Sequence, residues 1–237
     1  MFNWSSAWNG FYEQFITKGG YKTALHGLWV TVEIAILGLI IGIILGTIIA
    51  LIKVMPKYKL GPKIASGVCD VYVGFFRGTP LVVQLLLGYY VILPICGITA
   101  DALAVAIIIF GLNSGAYVSE IMRAGIQSVD AGQLEAGRAV GLPYWQAMLK
   151  IVIPQSIKNI LPTLGNEFIV LVKETSVASF ITVVDLTKAF RSIGDANYEY
   201  VIPYLMLAFV YLVLVLGITF LVKLMERRMN RGERQQK

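Results

Sequence analysis

The stretch from residue 29 to residue 52 reads WVTVEIAILGLIIGIILGTIIALI, and it decides the fold class of this chain. Its one charged residue is Glu33, and it is longer than the roughly 20 apolar residues that a helix needs to cross a bilayer. It is too long for the core of a secretory signal and has no basic leader, so a retained membrane helix is predicted. Gly38, Gly42 and Gly46 share one face of that helix. Small residues at this spacing allow close helix approach, and we expect packing inside the protein rather than a special dimerisation role.

The overall composition agrees with a membrane protein. The 237 residues are 57% hydrophobic and 14% charged, and the mean hydropathy is +0.73. Soluble domains are usually about a quarter charged. Cys69 and Cys96 both lie in apolar stretches, which predicts neither a disulfide framework nor a thiolate metal site. The length suits a single membrane domain over residues 1–237, with about five spans and a core at 25–222.

Four further apolar stretches complete the predicted all-α architecture, at residues 64–98, 102–122, 157–172 and 201–223. The first of these is too long for one straight crossing and is interrupted by Arg77-Gly78-Thr79-Pro80, which predicts a broken second span. Broken helices occur at membrane depth where the freed backbone faces protein or a watery cavity. Pro162 is expected to bend the fourth span near its start, and residues 179–190 are expected to dip into the bilayer as a short helix.

Basic residues predict the orientation. Half of the 20 Lys and Arg lie in the loop after the first span and in the tail at 224–237 or just before it. The positive-inside rule makes both segments cytoplasmic and places the N-terminus outside. The basic excess is therefore a topology signal and does not indicate a nucleic-acid partner. The residues concerned are Lys53, Lys57, Lys59, Lys63, Lys223, Arg227, Arg228, Arg231, Arg234 and Lys237.

The loop at 123–155, between the third and fourth spans, is then cytoplasmic. It contains Glu135-Ala136-Gly137, then Gly141, then Ile151-Val152-Ile153-Pro154. Residues 131–140 favour a helix that stops at Gly141, with Pro143 soon after. The residues alone leave two readings, a rigid helix on which a soluble partner can push, or a solvated amphipathic loop.

This pattern resembles the EAA loop in the membrane subunits of ABC importers, with Gly137 in place of the third alanine and Ile153 in place of a leucine. Further stretches resemble the polar amino acid uptake permeases of the histidine, glutamine and arginine type. The resemblance covers roughly residues 25 to 222, and its stretches are RGTPLVVQ at 77–84, NSGAYVSE at 113–120, RAGI at 123–126 and KETS at 173–176.

The resemblance implies a permease subunit in a prokaryotic inner membrane, working by alternating access. In that family the loop helix seats on an ATPase, so Glu135, Ala136, Gly137 and Gly141 are the implied coupling residues. The implied partners are an ATPase dimer, a second permease subunit (a homodimer), an extracytoplasmic amino acid-binding protein, the amino acid and membrane lipid. The chain has no phosphate-binding loop of the G-x-x-x-x-G-K-[ST] type, so we expect ATP and magnesium to be bound by the ATPase and no cofactor to be bound here.

Polar residues within apolar stretches are the candidate substrate site, because a charge at bilayer depth costs about 3 kcal/mol on insertion scales. Asn113, Tyr117 and Glu120 share a helical face that can line a polar cavity. The break near Thr79 can present free backbone groups to a zwitterion. For Arg77, a scaffold role paired with Asp70 or Glu120 is as well supported as a role in binding. The full set is Asp70, Arg77, Thr79, Asn113, Ser114, Tyr117, Glu120, Asn166 and Glu167.

Asp70, Glu120 and Glu167 favour a cationic substrate head by charge complementarity. Many relatives have an acid where this chain has Gly74, which weakens that inference. Two other function classes stay open at this point, a self-sufficient secondary transporter or channel and a membrane-embedded enzyme. No internal repeat supports the first and no nucleophile–base constellation supports the second.

Overall fold

A computed structural model describes residues 4–55 and 60–234, apart from the side chains of Asn197 and residues 230–234. All regular structure in that part is helical, as predicted. Short π-helical turns occur at Glu13–Thr17, Gly88–Ile92 and Met148–Val152, and a 3-10 helix at Thr175–Ile181. The helices are α1 (Trp4–Tyr12), α2 (Gly20–Val54), α3 (Leu60–Gly78), α4 (Leu81–Leu87), α5 (Leu93–Ile95), α6 (Ala102–Gln127), α7 (Ala131–Ala139), α8 (Tyr144–Ala147), α9 (Ile153–Glu174), α10 (Leu186–Asn197) and α11 (Val201–Arg234).

The α2–α6 pair forms the centre of the molecule, and the glycine stripe of α2 is its contact surface. A methyl group added at Gly42 would lie 2.6 Å from Ser114 Oγ, and one added at Gly46 would lie 2.7 Å from Val118 Cγ1. Glycine is required here because the two backbones approach closer than any other side chain permits. The prediction that this stripe packs inside the protein is confirmed. We call this contact the glycine seam.

The seam also shows the helix directions. Gly38 faces Phe110, Gly42 faces Ser114 and Gly46 faces Val118, so α2 and α6 run parallel. The contacts of α6 with α9 run the opposite way, because Ser114 bonds to Glu167 while Gly125 packs on Ile160.

The directions of α11 and of the stretch from α3 to α5 complete the pattern, in which successive segments run in opposite directions. Within the α9–α11 pair, Gly165 packs on Val222, and Lys173 shares a cleft with Leu212, so α11 runs antiparallel to α9. From α3 to α5 the chain runs opposite to α6, since Phe76 O accepts from Asn113 and Gly88 packs on Ile109. Five segments therefore alternate, and α2, α6 and α11 all end on the side where α7 lies.

The predicted break in the second span is present. α3 ends at Gly78, α4 begins at Leu81, and the two axes differ by 105°. Pro80 lacks a backbone N–H and takes an extended conformation (ψ 139°) in front of α4, which explains why the helix cannot continue.

Within residues 4–55 and 60–234, three helices are long and apolar enough to cross a membrane, or four if the bent pair counts as one span. They are α2, α6 and residues 201–229 of α11. The predicted fourth span corresponds to α9, which contains Pro162 but is not among these apolar helices within the described residues. The five-span count therefore stays a prediction, which the alternating directions support.

Several predicted boundaries change. α2 begins nine residues before residue 29, and α6 continues past residue 122 to Gln127, so Arg123 belongs to a helix and not to the loop. The short helix predicted at 179–190 is divided between the 3-10 helix and α10. Asp185 accepts hydrogen bonds from the N–H groups of Thr187 and Lys188 (3.0 Å each), which starts α10 at Leu186. Lys57, Lys59 and Lys237, counted in the orientation, lie outside the described residues.

Candidate functional site

The helix break is held by one buried side-chain amide. Gln84 Nε2 donates to the carbonyl oxygens of Phe76 (2.9 Å) and Thr79 (3.0 Å) and to Thr79 Oγ1 (2.9 Å). The Thr79 hydroxyl in turn donates to the carbonyl of Phe75 (2.9 Å). Carbonyl groups left unpaired by the break are thus bonded within the protein, as buried backbone requires. Thr79, predicted as a substrate contact, is placed within this capping network.

Asn113 extends the same network to α6. Its Nδ2 donates to Gln84 Oε1 (3.0 Å) and to the Phe76 carbonyl (3.3 Å), and the residue is only 4% exposed. The structure therefore places Asn113 behind the break instead of on the cavity wall beside Tyr117 and Glu120. A deletion of either amide would leave buried polar groups without partners, which makes this pair a structural requirement of the bend.

A second polar group joins three helices. Lys53 Nζ lies 3.0 Å from Asp70 Oδ1 and 2.9 Å from Glu120 Oε1. Arg123 Nη2 lies 2.6 Å from the other oxygen of Glu120, and its Nη1 donates to Gln127. α2, α3 and α6 each contribute, and the four charges sum formally to zero. We call Lys53, Asp70, Glu120 and Arg123 the charge cluster.

The pairing of Arg77 with Asp70 or Glu120, one of the two alternatives that the sequence left open, is not found. In the part of the chain that the structure describes, Arg77 makes no ion pair, and its guanidinium carbon lies 5.4 Å from the centre of the Tyr117 ring. Lys53 is the partner of both acids instead. It lies in the last turn of α2, and its side chain is only 13% exposed. The sequence interpretation counted Lys53 among the loop lysines and missed this role.

A cavity of about 450 Å³ opens between the end of α3, the second half of α6 and the first half of α9. Of the predicted substrate residues, Arg77, Tyr117 and Glu120 line it, and α9 contributes Asn159 and Thr163. Asn159 is fixed by a hydrogen bond to Ser128 Oγ (2.8 Å). The walls are mostly apolar with a few convergent polar groups, which is the usual character of a small-molecule site.

The remaining predicted residues are not part of the cavity lining. Ser114 Oγ donates to Glu167 Oε1 (3.2 Å) and joins α6 to α9. Glu167 is one helical turn beyond Thr163, on the α9 face that borders the cavity. Asn166 is exposed. Asp70 is also half-exposed, at 56% of its side chain, with Lys53 as its partner.

The Glu-Ala-Gly segment forms the exposed helix that was predicted, since α7 covers Ala131–Ala139. Asp130 starts it by accepting from Gly132 N (2.7 Å), and Gly141 ends it in the left-handed region at φ 89°. Glu135 and Ala136 are exposed.

Gly137 lies on the buried side of α7. A methyl group there would lie 2.7 Å from Ile151 Cδ1 and 3.2 Å from Ala147 Cβ. The departure from a third alanine therefore has a packing reason, because α7 rests directly on the segment that leads into α9. α7 therefore has one face exposed for contact with another protein and one face packed on the segment that leads into α9.

Comparisons with known proteins agree with this arrangement. The family model described as the binding-protein-dependent transport system inner membrane component matches residues 38–231. The arginine transport system permease protein ArtQ of Bacillus subtilis (strain 168) is 39% identical over 88% of this chain and 93% of its own length. The L-cystine transport system permease protein TcyB of the same organism is 38% identical over 86% of each chain.

Solved structures also match. A chain from the crystal structure of an amino acid ABC transporter with histidines is 42% identical, with a TM-score of 0.82 over 88% of this chain and 94% of that one. An inward-facing structure of the MetNI methionine ABC transporter shares the fold, at 18% identity and a TM-score of 0.74 over 87% and 96%. The resemblance to ABC importer permeases is confirmed, and the secondary transporter and the enzyme are not favoured. The chain belongs to the family of inner membrane components of binding-protein-dependent transport systems, as a multi-pass permease subunit of the plasma membrane and not as an enzyme.

Proposed function

We propose that this permease carries a polar amino acid across the membrane by alternating access, and that separate ATPase subunits drive the change of state. The observation that carries the proposal is the cavity between α3, α6 and α9, whose lining extends to Ser128 just before the exposed helix α7. A substrate-sized space and a surface for a motor protein are thereby joined through one helix, α9. The arginine and cystine in the names of ArtQ and TcyB support an amino acid substrate.

Arg77 is the proposed contact for the substrate carboxylate. The charge of Glu120 is matched by Lys53 and Arg123, whereas Arg77 has only the Tyr117 ring beside it. An uncompensated guanidinium at a cavity wall favours a carboxylate, which it can bind through two parallel hydrogen bonds. Every α-amino acid supplies that group, so this contact would serve substrates with different side chains.

Glu167 is the proposed contact for the positive end of the substrate. Ser114, its partner, lies one turn before Tyr117 on α6, so Arg77 and Glu167 face the same region of α6 about one turn apart. An acid at that position suits an α-ammonium or a cationic side chain. The preference for basic amino acids now rests mainly on Glu167, because Asp70 and Glu120 are already neutralised within the charge cluster.

Reconstitution tests the proposal. Proteoliposomes that hold the permease with its ATPase and binding protein should take up a labelled amino acid only with ATP. Arg77→Gln should lower uptake about tenfold, the equivalent of one charge-assisted hydrogen bond. Arg191→Gln, an exposed arginine of α10, is the matched control and should leave uptake unchanged.

Two results would contradict the proposal. Uptake by Arg77→Gln at the rate of the unchanged protein would remove Arg77 from the substrate path. Uptake driven by an ion gradient without the ATPase would support the secondary transporter instead.

We also propose that α7 docks on the ATPase through Glu135, Ala136 and Gly141, with Gly137 facing inward. ATP and magnesium would then be bound by the ATPase dimer, outside this chain. Glu135→Lys should abolish uptake while ATP hydrolysis by the partner continues, because the reversed charge faces the docking surface. Glu13→Lys, an exposed acid on the other side of the molecule, is the control and should couple normally.

The proposed topology places α7 in the cytoplasm and the N-terminus outside, with two identical permeases around a two-fold axis and the binding protein on the outer face. The shared end of α2, α6 and α11 supports this, since basic residues of the chain lie just after α2 and in the last turns of α11, on the side of α7. A cysteine placed at Gln133 should be labelled only after cells are made permeable. Labelling from outside intact cells would overturn this orientation.

A further inference from the structure

The first helix, α1, presents three different surfaces around its axis. Its sequence is WSSAWNGFY, with no charged residue. Trp4, Trp8 and Tyr12 recur every four residues, so each is offset by about 40° from the one before and the three form one aromatic face. The polar residues of α1 and of the following turn occupy the neighbouring sector.

One sector of α1 is fixed to the protein. Ala7 and Phe11 are buried in a cluster with Phe190, Ile193 and Ile202 of α10 and α11. The aromatic contacts continue beyond α1, because the rings of Phe11 and Phe15 are 5.0 Å apart, and Phe15 lies 6.1 Å from Phe190. Burial of these side chains holds α1 in a set orientation on the flank of the molecule, so the directions of its other faces are defined.

The aromatic face points away from this cluster. Trp4 is 60% exposed, Trp8 52% and Tyr12 53%. Three large aromatic side chains exposed in a row would be unfavourable in water, since each side chain of this type gains about 1.5–3 kcal/mol when buried. Tryptophan and tyrosine instead concentrate where acyl chains meet headgroups, because their rings are apolar and carry one polar group.

The polar sector completes the pattern. Ser5, Ser6, Asn9 and Glu13 are all exposed. A helix on the flank of a membrane protein at the edge of the bilayer has exactly three neighbours: protein, lipid and water. The buried, aromatic and polar sectors of α1 correspond to these three.

The position of α1 in the molecule agrees. It packs beside the start of α11, at the end opposite α7, and Gly19 (φ 77°) turns the chain sharply from the π-helical turn into α2. Near that turn Glu13 and Lys18 pair with each other at 3.1 Å, and Lys22 is exposed in the first turn of α2. α1 itself carries no charge, so its aromatic face consists of uncharged side chains alone.

We propose that α1 is an interfacial anchor, with Trp4, Trp8 and Tyr12 inserted at the boundary between headgroups and acyl chains of the leaflet opposite α7. The occupant of this surface is lipid, held by apolar burial and not by attraction to anionic headgroups. The inference depends on the membrane location of the chain and is independent of what the permease transports.

Tryptophan quenching in proteoliposomes tests this placement. Trp4, Trp29 and Trp145 are replaced by Phe, which leaves Trp8 as the only fluorophore of its type. Its emission should be quenched by phospholipids brominated high on the acyl chain and only weakly by aqueous iodide. In the matched control, Trp8→Phe with Asn9→Trp moves the tryptophan to the polar sector, and iodide should quench it severalfold more strongly.

Each alternative has its own result. Iodide quenching of Trp8 as strong as in the control would show that the face lies in water. Protection from both quenchers would show that a second copy or a partner protein covers it, and either result overturns the proposal. A dependence of lipid quenching on anionic lipid content or on salt would overturn the uncharged mode of binding. The unfolding temperature of the Trp→Phe variant is measured first, so that a misfolded protein is not used for the quenching experiment.

Discussion

The two sides of α6 contact their neighbours in different ways, one through close apolar packing and the other largely through polar contacts beside a cavity. On one side the glycine seam brings α2 so near that no methyl group fits at Gly42 or Gly46. On the other side α3 and α9 meet α6 through the charge cluster, the Gln84–Asn113 pair and a cavity of about 450 Å³, with one close apolar contact between Gly125 and Ile160. Close apolar packing resists any change of geometry, whereas hydrogen bonds and ion pairs beside a polar space can be exchanged for water or substrate. α6 thus divides the molecule into a static half and a half that can respond.

The largest effect should come from filling the seam. Gly46→Ala places a methyl group 2.8 Å from the backbone nitrogen of Ser119, and overpacking of this kind costs about 1–3 kcal/mol. The unfolding temperature of the purified protein in detergent should fall clearly. Gly217→Ala on α11, where nothing lies within 4 Å, should leave it unchanged. Equal unfolding temperatures for the two variants would remove the contrast between the sides of α6.

Removal of Lys53 should rank second. Lys53→Met leaves Asp70 and Glu120 without their shared partner, and we expect a loss of about 1–2 kcal/mol because both acids keep some solvent access. Thermal unfolding measures this loss, and Lys63→Met, on an exposed lysine, is the control. If Lys53→Met combined with Glu120→Gln destabilised the protein by the sum of the two single changes, the direct link between them would be disproved.

Gln84→Leu should have an effect of about 1 kcal/mol on stability, because the carbonyls of Phe76 and Thr79 lose a donor. The loss of uptake should be larger than this loss of stability alone would cause, since the 105° bend positions Arg77. Asn113→Ala added to Gln84→Leu should cost little more, as the two amides share one hydrogen bond. Additive effects would separate Asn113 from the break.

The smallest effect is expected at Asp70. Its side chain is half-exposed, so Asp70→Asn should cost about 0.2–1 kcal/mol, as surface ion pairs do. The difference in unfolding temperature should shrink as salt is raised, because salt screens exposed pairs. A large loss that salt leaves unchanged would place Asp70 in a buried role.

Features that depend on neighbouring residues along the chain were predictable. The break at Thr79-Pro80, the stop at Gly141 and the close approach at Gly42 are each local consequences of proline or glycine chemistry, and each was found. The long helices α2, α6 and α11 follow from apolar length. The ends of α2 and α6 were less well predicted, because polar residues can continue a helix beyond the apolar run.

Features that depend on tertiary pairing were not predictable. Lys53 follows an apolar run directly and resembles a loop lysine, yet its long side chain reaches back to Asp70 and Glu120. One sequence interpretation paired Arg77 with an acidic residue, and only the fold shows that the Tyr117 ring is its neighbour instead. The role of Gln84 could have been predicted from one feature of the sequence. It is a lone amide in an apolar helix, one turn after Pro80, where carbonyl groups left unpaired by the break need a donor.

The parallel register of α2 and α6 has a mechanical consequence. Two long helices locked along their length behave as one rigid body, so they can neither slide nor separate during a transport cycle without losing the contacts at three glycines. In the proposed cycle, any widening or narrowing of the cavity would then come from α3 and α9 moving against this pair. Since α9 follows directly from the segment on which α7 rests, the helix that a motor protein would displace is also one of the two mobile walls.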